Sequence, residues 1–340
     1  MWLTCSSIGR KFVMALTGAC LVLFVTFHVL MNSVALLWPA AYNVICQFLG
    51  ANWYALIASA GLALLFIIHI IYALWLTVQN RKARGNDRYA VAGKAPGVEW
   101  SSKNMLVLGF VVLAFLAVHL IQFWAKMQLQ ELTSHELTAY PVVAGSIAAP
   151  EFGTLFLQAA FSEWYTPVIY IIGFIALWFH MNHGFWSMFQ SIGWNGQTWL
   201  PRLKTISCWW TTIVIALFVA QAALFTIQAK NEFFLKDAAL QEQYAHYWTE
   251  KSEALIEEFN AEVSSLAKGL SPVEAQQAQQ QFFAERAPYY IEIADIIKNN
   301  AATQAPEVST AALEQLGKFS DFLRQRSQMA GQMNQPNANN

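Results

Sequence analysis

The fold is decided by FVMALTGACLVLFVTFHVLMNSVALL, residues 12–37, a run of 26 residues that contains no Asp, Glu, Lys or Arg. Because about 20 apolar residues, rising about 1.5 Å each, cross a hydrocarbon core roughly 30 Å thick, this run is long enough to span a bilayer as a helix. It exceeds the apolar core of a signal peptide, which has about 7 to 15 residues, so we expect the run to be retained.

Four more charge-free runs follow, each at least 21 residues long. Buried helices of soluble proteins are usually shorter, and five such runs in succession favour a membrane protein. We therefore predict an all-α fold, a bundle of five transmembrane helices in the lipid bilayer. The predicted helices are about 12–37, 53–78, 105–125, 165–189 and 206–229.

The composition agrees with a membrane domain that is followed by a different region. Only 12% of the 340 residues are charged, about half the fraction in a soluble domain. Residues 1–229 carry eleven basic and six acidic side chains, net +5, whereas residues 230–340 carry nine and fifteen, net −6. The near-zero total gives no electrostatic reason to expect a nucleic acid partner. The four cysteines lack metal-type spacing, which excludes a thiolate-bound iron–sulfur cluster on this chain.

Basic residues predict the orientation of the helices. Within residues 1–229, all of them except Lys126, which lies at a helix end in the third connection, lie before the first run and in the second and fourth connections, and short cytoplasmic loops retain Lys and Arg. We expect a multi-pass protein of the inner (cytoplasmic) membrane, with the N-terminus in the cytoplasm and the region after residue 229 in the periplasm. The basic residues concerned are Arg10, Lys11, Arg81, Lys82, Arg84, Arg88, Lys94, Lys103, Arg202 and Lys204.

Residues 230–340 are predicted to form an acidic, helical C-terminal extension. Apolar residues recur at helical intervals, Ser271-Pro272 marks a helix start, and Pro306 interrupts the pattern. A last helix is expected from about Thr310 to Gly331, before an Asn-rich end that we expect to be disordered. The extension is either a capping or partner-binding appendage or an extension without activity, and the sequence leaves both open.

Among Asp, Glu, Lys, Arg and His, only histidines lie inside the runs, and such intramembrane residues are functional candidates because burying them is costly. His28 and His119 lie about 21 to 24 Å from the cytoplasmic edge, and His69 and His180 about 13 to 14 Å. Imidazoles from two helices at one depth can bind a haem iron from both faces. We predict two haem b groups, one between His28 and His119 and one between His69 and His180. His135 and His246 lie outside the runs and receive no role.

Two details of these sites stay open. His183 follows His180 by three residues on nearly the same helix face, so it is an alternative ligand or a contact to a haem propionate. Gly18 and Gly109 each precede a predicted ligand by ten residues, and a glycine lets a porphyrin face approach the backbone. Ordinary packing between membrane helices explains either glycine equally well.

Charged groups at the helix ends are further candidates. Arg10 and Lys11 are suited to bind haem propionates or the carboxylates of a partner, although setting the topology explains them equally well. Glu163, directly before the fourth run, is a candidate proton acceptor in the oxidation of a quinol.

The first 229 residues resemble the dihaem cytochrome b subunit of succinate dehydrogenase and fumarate reductase, in the five-helix type that reacts with menaquinone. The resemblance rests on SSIGRKFVMALTG (6–18), FIIHIIYAL (66–74), AFLAVHL (114–120), SEWYTP (162–167) and FHMNHGFWSMFQSIGW (179–194). It implies a membrane anchor with haem ligands at His28, His69, His119 and His180. It also implies a flavoprotein (FAD) subunit and an iron–sulfur subunit on the cytoplasmic side, a complex that can dimerise, and no dicarboxylate site on this chain.

Two features separate the chain from that pattern. Trp178 stands where related fumarate reductases can have a proton-carrying glutamate, and no carboxylate lies between Leu37 and Trp53.

The alternative to an electron-transfer subunit is a haem-free transporter or anchoring protein, whose histidines pack or relay protons.

Overall fold

The computed structural model describes residues 6–84, 99–134, 136–143, 145–266, 268–308 and 310–333. Within these ranges the chain forms thirteen α-helices and almost no strand. They are α1 (Ser7–Leu37), α2 (Pro39–Ala51), α3 (Trp53–Arg84), α4 (Trp100–His119), α5 (Gln128–Thr133), α6 (Gly153–Ser162), α7 (Tyr165–Ser191), α8 (Trp199–Lys230), α9 (Phe233–Lys236), α10 (Ala238–Leu266), α11 (Pro272–Glu285), α12 (Ala287–Gln304) and α13 (Ala311–Met333).

Five helices are long and apolar enough to cross a membrane, namely α1, α3, α4 with its continuation to Trp124, α7 and α8. The predicted all-α, five-span fold is therefore confirmed, and the chain is a multi-pass membrane protein. The expectations for Arg88, Lys94, His135 and the Asn-rich end 334–340 lie outside the described residues.

The chain divides into two compact units. The first contains the residues up to Leu129 together with Glu151–Asn231, and so holds all five long apolar helices. The second contains Gln130–Pro150 and the residues from Glu232 onward. The connection before α6 thus belongs to the same unit as the C-terminal helices.

In the first unit, α7 packs against α1, α4 and α8, and α1 also packs against α3 and α8. Helices α3 and α4 touch only slightly, and over the described residues α1 with α4 and α3 with α7 make at most marginal backbone contact, which is consistent with these last two pairs lying on the diagonals of a four-helix arrangement. Helix α8 is the fifth helix beside it, and its Gln221 Nε2 donates to Val29 O at 2.8 Å and to Ser33 Oγ at 2.9 Å.

Helix α4 does not end as a regular α-helix. Directly after His119 the residues Leu120–Trp124 form a π-helical turn, in which Ala125 N donates to Leu120 O at 2.8 Å. Such wide turns are rare and recur at functional sites because they change the direction in which side chains project. This turn carries Gln122.

The second unit surrounds a short antiparallel hairpin, β1 (Val142–Val143) with β2 (Ser146–Ile147). The fully buried Gln304 of α12 donates to Ser146 Oγ and to Ile147 O, and it accepts from Trp248 Nε1 of α10 at 2.8 Å. These bonds satisfy the polar groups of the hairpin and the two helices inside the core. As predicted, Ser271 caps the start of a helix and Pro306 follows the end of one.

Candidate functional site

The first histidine pair joins α1 and α4 across one diagonal of the first unit. The ring centroids of His28 and His119 are 5.7 Å apart, and the ring planes are perpendicular. The aromatic rings of Phe24, Phe115 and Phe218 lie close to the two imidazoles. We call this the His28–His119 pair.

His119 is held through its Nδ1 atom by a chain of polar groups. The Tyr170 hydroxyl donates to Gln122 Oε1 at 3.0 Å, and Gln122 Nε2 donates to Thr166 Oγ1 at 3.1 Å. Since the hydroxyl hydrogen of Tyr170 is used in this way, its oxygen accepts the Nδ1–H of His119 at 3.1 Å. His119 therefore keeps an electron pair on Nε2.

His28 is engaged through its other ring nitrogen. Its Nε2 accepts from the side-chain amide of Asn32 at 3.0 Å, and Asn32 Oδ1 in turn accepts from the Tyr42 hydroxyl at 3.2 Å. The Nε2 atom of His28 also carries an electron pair, because an amide N–H can only donate. Ligation of a metal by His28 therefore requires Asn32 to release this nitrogen.

The second pair joins α3 and α7 across the other diagonal. The ring centroids of His69 and His180 are 6.3 Å apart, with 63° between the ring planes. Thr17 Oγ1 donates to the backbone carbonyls of Val13 and Met14 and lies 3.1 Å from His69 Nδ1. The Nδ1 of His180 is buried and has no hydrogen-bond partner among the described residues. We call this the His69–His180 pair.

His180, and not His183, lies opposite His69. The Nδ1 of His183 is 3.5 Å from Glu99 Oε2, and the other carboxylate oxygen of Glu99 is 2.7 Å from Lys204 Nζ. Burial alone would raise the pKa of Glu99, but the hydrogen bond and charge of Lys204, with a further contribution from His183, lower it below the ordinary value. His183 is thus part of an ionic cluster at the end of the helices.

Both predicted glycines face the His69–His180 pair. A Cβ atom placed on Gly18 would lie 3.7 Å from His69 Cε1, and one placed on Gly109 would lie 3.6 Å from His180 Cε1. Gly18 lies on α1 beside α3, and Gly109 on α4 beside α7, so the two contacts repeat one arrangement. The backbone of the neighbouring helix therefore lies next to each of these imidazoles without an intervening side chain.

The separations of the imidazoles fit haem ligation at both pairs, provided that Asn32 releases Nε2 of His28 at the first. Two metal–imidazole bonds of about 2 Å each place the ring centres roughly 6 Å apart, close to the two observed separations. The orphaned Nδ1 of His180 and the bare backbone at Gly18 and Gly109 agree with a planar group bound between helices that do not pack closely.

The charged candidates lie near the ends of the long helices. The guanidinium of Arg10 lies 5.6 Å from the centre of the Trp75 ring, and Lys11 is exposed. Glu163 is exposed immediately before α7, and its role in proton transfer stays a prediction. Trp178, at the position of the absent glutamate, donates to Thr212 Oγ1 of α8 at 3.0 Å.

Sequence reasoning does not identify the residues that hold the imidazoles, namely Thr17, Asn32, Gln122 and Tyr170. A signal for them exists, since all are polar side chains in or beside apolar runs, where a polar group needs a partner. The partner itself lies on another helix for Thr17 and Tyr170, and the local pattern does not reveal it.

Comparison with protein-family models, curated proteins and solved structures finds no match to this chain.

Proposed function

We propose that this chain is the membrane anchor and electron-transfer subunit of a succinate:quinone oxidoreductase, a succinate dehydrogenase or fumarate reductase that uses menaquinone. The proposal is supported by two sets of facing imidazoles, His28 with His119 and His69 with His180, on the two diagonals of one helical bundle. Hydrogen bonding at Nδ1 leaves a lone pair on Nε2 of His69 and His119. The sequence motifs around the four histidines support the same assignment.

In this proposal His28 and His119 hold one haem b, and His69 and His180 hold the other. Bound haem supplies a one-electron carrier within the membrane. The chain orients the imidazoles, leaves the Nε2 atoms of His69 and His119 available, and excludes water with the surrounding aromatic rings. With haem bound, the two sites would connect an iron–sulfur partner on the cytoplasmic side with menaquinone. The flavoprotein partner, and not this chain, carries the dicarboxylate chemistry.

A reduced-minus-oxidised spectrum of the purified full-length chain is the direct test. We expect the absorption bands of haem b and a pyridine haemochrome assay that gives two haems per chain. A chain that is folded, as judged by its helical circular dichroism, and that carries no haem would overturn the proposal in favour of a haem-free transporter or anchoring protein.

Replacement of single histidines assigns the sites. His119→Leu and His180→Leu are each expected to lower the haem content from two to one, and each remaining haem gives the potential of one site. His183→Leu and His246→Ala are the matched controls, because neither side chain faces another imidazole across a diagonal. Loss of haem from His183→Leu with retention in His180→Leu would show that the assignment of this ligand is wrong.

The partners are tested by purification of the intact complex from the native membrane. We expect an FAD-containing subunit and an iron–sulfur subunit to accompany the chain, and menaquinol or menaquinone to change the oxidation state of its haems. Haem-containing chains that co-purify with neither subunit would contradict the assignment to this class of complex.

A further inference from the structure

We propose that the hydroxyl groups of Thr17 and Tyr170 are positioning groups that each fix one histidine, His69 and His119 respectively, with its hydrogen on Nδ1. Each hydroxyl thereby sets the reduction equilibrium of one haem separately from the other. This inference rests on the proposed function, because it concerns the same two sites.

Thr17 is placed to accept a hydrogen bond from His69. Its single hydroxyl hydrogen is directed at the backbone carbonyls of Val13 at 2.9 Å and Met14 at 3.1 Å, and a carbonyl cannot donate in return. Its side chain is 3% exposed, so water does not compete for the oxygen. We therefore assign the contact of 3.1 Å to His69 Nδ1 as a hydrogen bond donated by the imidazole.

Tyr170 reaches the same result by a different route. It lies on α7, its hydroxyl hydrogen goes to Gln122 Oε1, and Gln122 is projected towards it by the π-helical turn after His119. Tyr170 is 5% exposed and is surrounded by the rings of Phe115, Phe161 and Phe174. The phenolic oxygen is left to accept the Nδ1–H of His119.

A hydrogen bond accepted from Nδ1–H has a defined effect on the opposite nitrogen. It fixes the tautomer and the ring orientation and makes the imidazole a stronger electron donor at Nε2. A stronger donor favours the oxidised iron, so loss of the hydroxyl is expected to raise the reduction potential of the site concerned. The Nδ1 of His180 has no partner among the described residues, so Thr17 provides the hydrogen bond that distinguishes its pair.

The test uses Thr17→Val and Tyr170→Phe, which remove a hydroxyl and keep most of the side-chain volume. We expect Thr17→Val to raise the potential of the His69–His180 site and leave the other unchanged, and Tyr170→Phe to do the reverse. The expected change is about tenfold in the ratio of oxidised to reduced iron, which for one electron is about 59 mV. Single-haem variants with His119→Leu or His180→Leu identify which potential belongs to which site.

Three controls separate positioning from a general structural effect. Thr17→Ser restores the hydroxyl and is expected to return the wild-type potential. Thr77→Val removes a hydroxyl that donates to the carbonyl of Ala73 on α3, and Tyr72→Phe removes one that lies beside Trp75. Neither of these two variants is expected to move either potential.

The outcomes are distinguishable from a failure of the proposed function. A wild-type chain without haem overturns the proposed function itself. A wild-type chain with two haems, whose potentials move in neither variant or move equally in both, overturns the present inference alone. If a variant is purified without haem, its affinity for haem is measured by titration. A lower affinity in Thr17→Val with the wild-type affinity in Thr17→Ser supports the inference. The wild-type affinity in Thr17→Val overturns it.

Discussion

At the scale of single residues, Glu99 shows how one carboxylate connects three helices. It immediately precedes α4, it pairs with Lys204 of α8, and it contacts His183 of α7. Because its pKa is lowered in the folded chain, its ionised form stabilises that state at pH values above the ordinary pKa of a glutamate. The side chains of Glu99 and Lys204 are each 36% exposed, so the contribution is about 1 kcal/mol or less.

This contribution is expected to disappear on acidification. The stabilisation is present at about pH 7, it declines once the pH falls below the ordinary pKa of a glutamate, about 4, and it is lost below the lowered pKa of Glu99. Glu99→Gln should therefore have a lower midpoint of SDS-induced unfolding than the wild type at neutral pH, and the difference should shrink as the pH falls. Glu163→Gln, which changes an exposed carboxylate of the same unit, is the control. A difference that grows in acid would contradict the expectation.

The same cluster explains what the sequence could and could not predict about the ligands. His180 and His183 are three residues apart on one helix face, so their depths alone leave both possible. The partners that separate them, His69 on α3 and Glu99 before α4, are far away in the sequence. The matched depths of the histidines predict which helices carry facing imidazoles. The choice between His180 and His183, which lie within one helical turn, depends on contacts with residues far away in the sequence.

At the scale of helices, two glycines at comparable places on α7 and α3 have opposite surroundings. A Cβ atom on Gly173 would overlap the ring of Phe115, whereas one on Gly61 would meet no atom within 4 Å among the described residues. Gly173 therefore allows α4 and α7 to pack closely beside the His28–His119 pair. Gly61 has no such role in the described structure.

We expect Gly173→Ala to destabilise the chain by about 1–3 kcal/mol, because Phe115 must move in a packed region. Gly61→Ala is the matched control, and it should be neutral or stabilising by about 0.4–1 kcal/mol, because alanine restricts the unfolded chain. The measurement is the midpoint of SDS-induced unfolding of the two purified variants beside the wild type. Equal midpoints for both variants would show that the contact with Phe115 is not restrictive.

The apolar runs predict the positions of the long helices and three of their ends, at Leu37, Trp53 and Tyr165, but not the ends beside the basic residues. The run 53–78 lies inside α3, which continues to Arg84, and the run 206–229 lies inside α8, which begins at Trp199. A helix continues past the hydrocarbon core because its backbone hydrogen bonds do not require lipid, whereas the charge-free run ends with the core. Helices α2 and α6 are shorter than a span and therefore gave no signal of this kind.

At the scale of the whole molecule, the charge distribution predicts how the chain is oriented. Exposed Arg81 and Lys82 end α3, and exposed Lys268 lies between α10 and α11. If basic connections remain in the cytoplasm, these two places lie on opposite sides of the membrane.

Membrane vesicles of known sidedness test this orientation with trypsin. Cleavage at Lys268 is expected in right-side-out vesicles, and cleavage at Arg81 or Lys82 in inside-out vesicles. Vesicles opened with detergent are the control and should be cut at both places. The reverse pattern would show that the proposed orientation is wrong.

The division of the second unit between two distant segments determines the order in which the protein can be assembled. The ribosome delivers the hairpin at Ser146 and Ile147 long before Gln304, the side chain that satisfies both residues. Between them it must translate α6, α7 and α8, so the polar groups of the hairpin can bond only to water or to other partners until Gln304 is made. Completion of the second unit is therefore a late event in biogenesis. All five long apolar helices have been synthesised before this unit can fold completely.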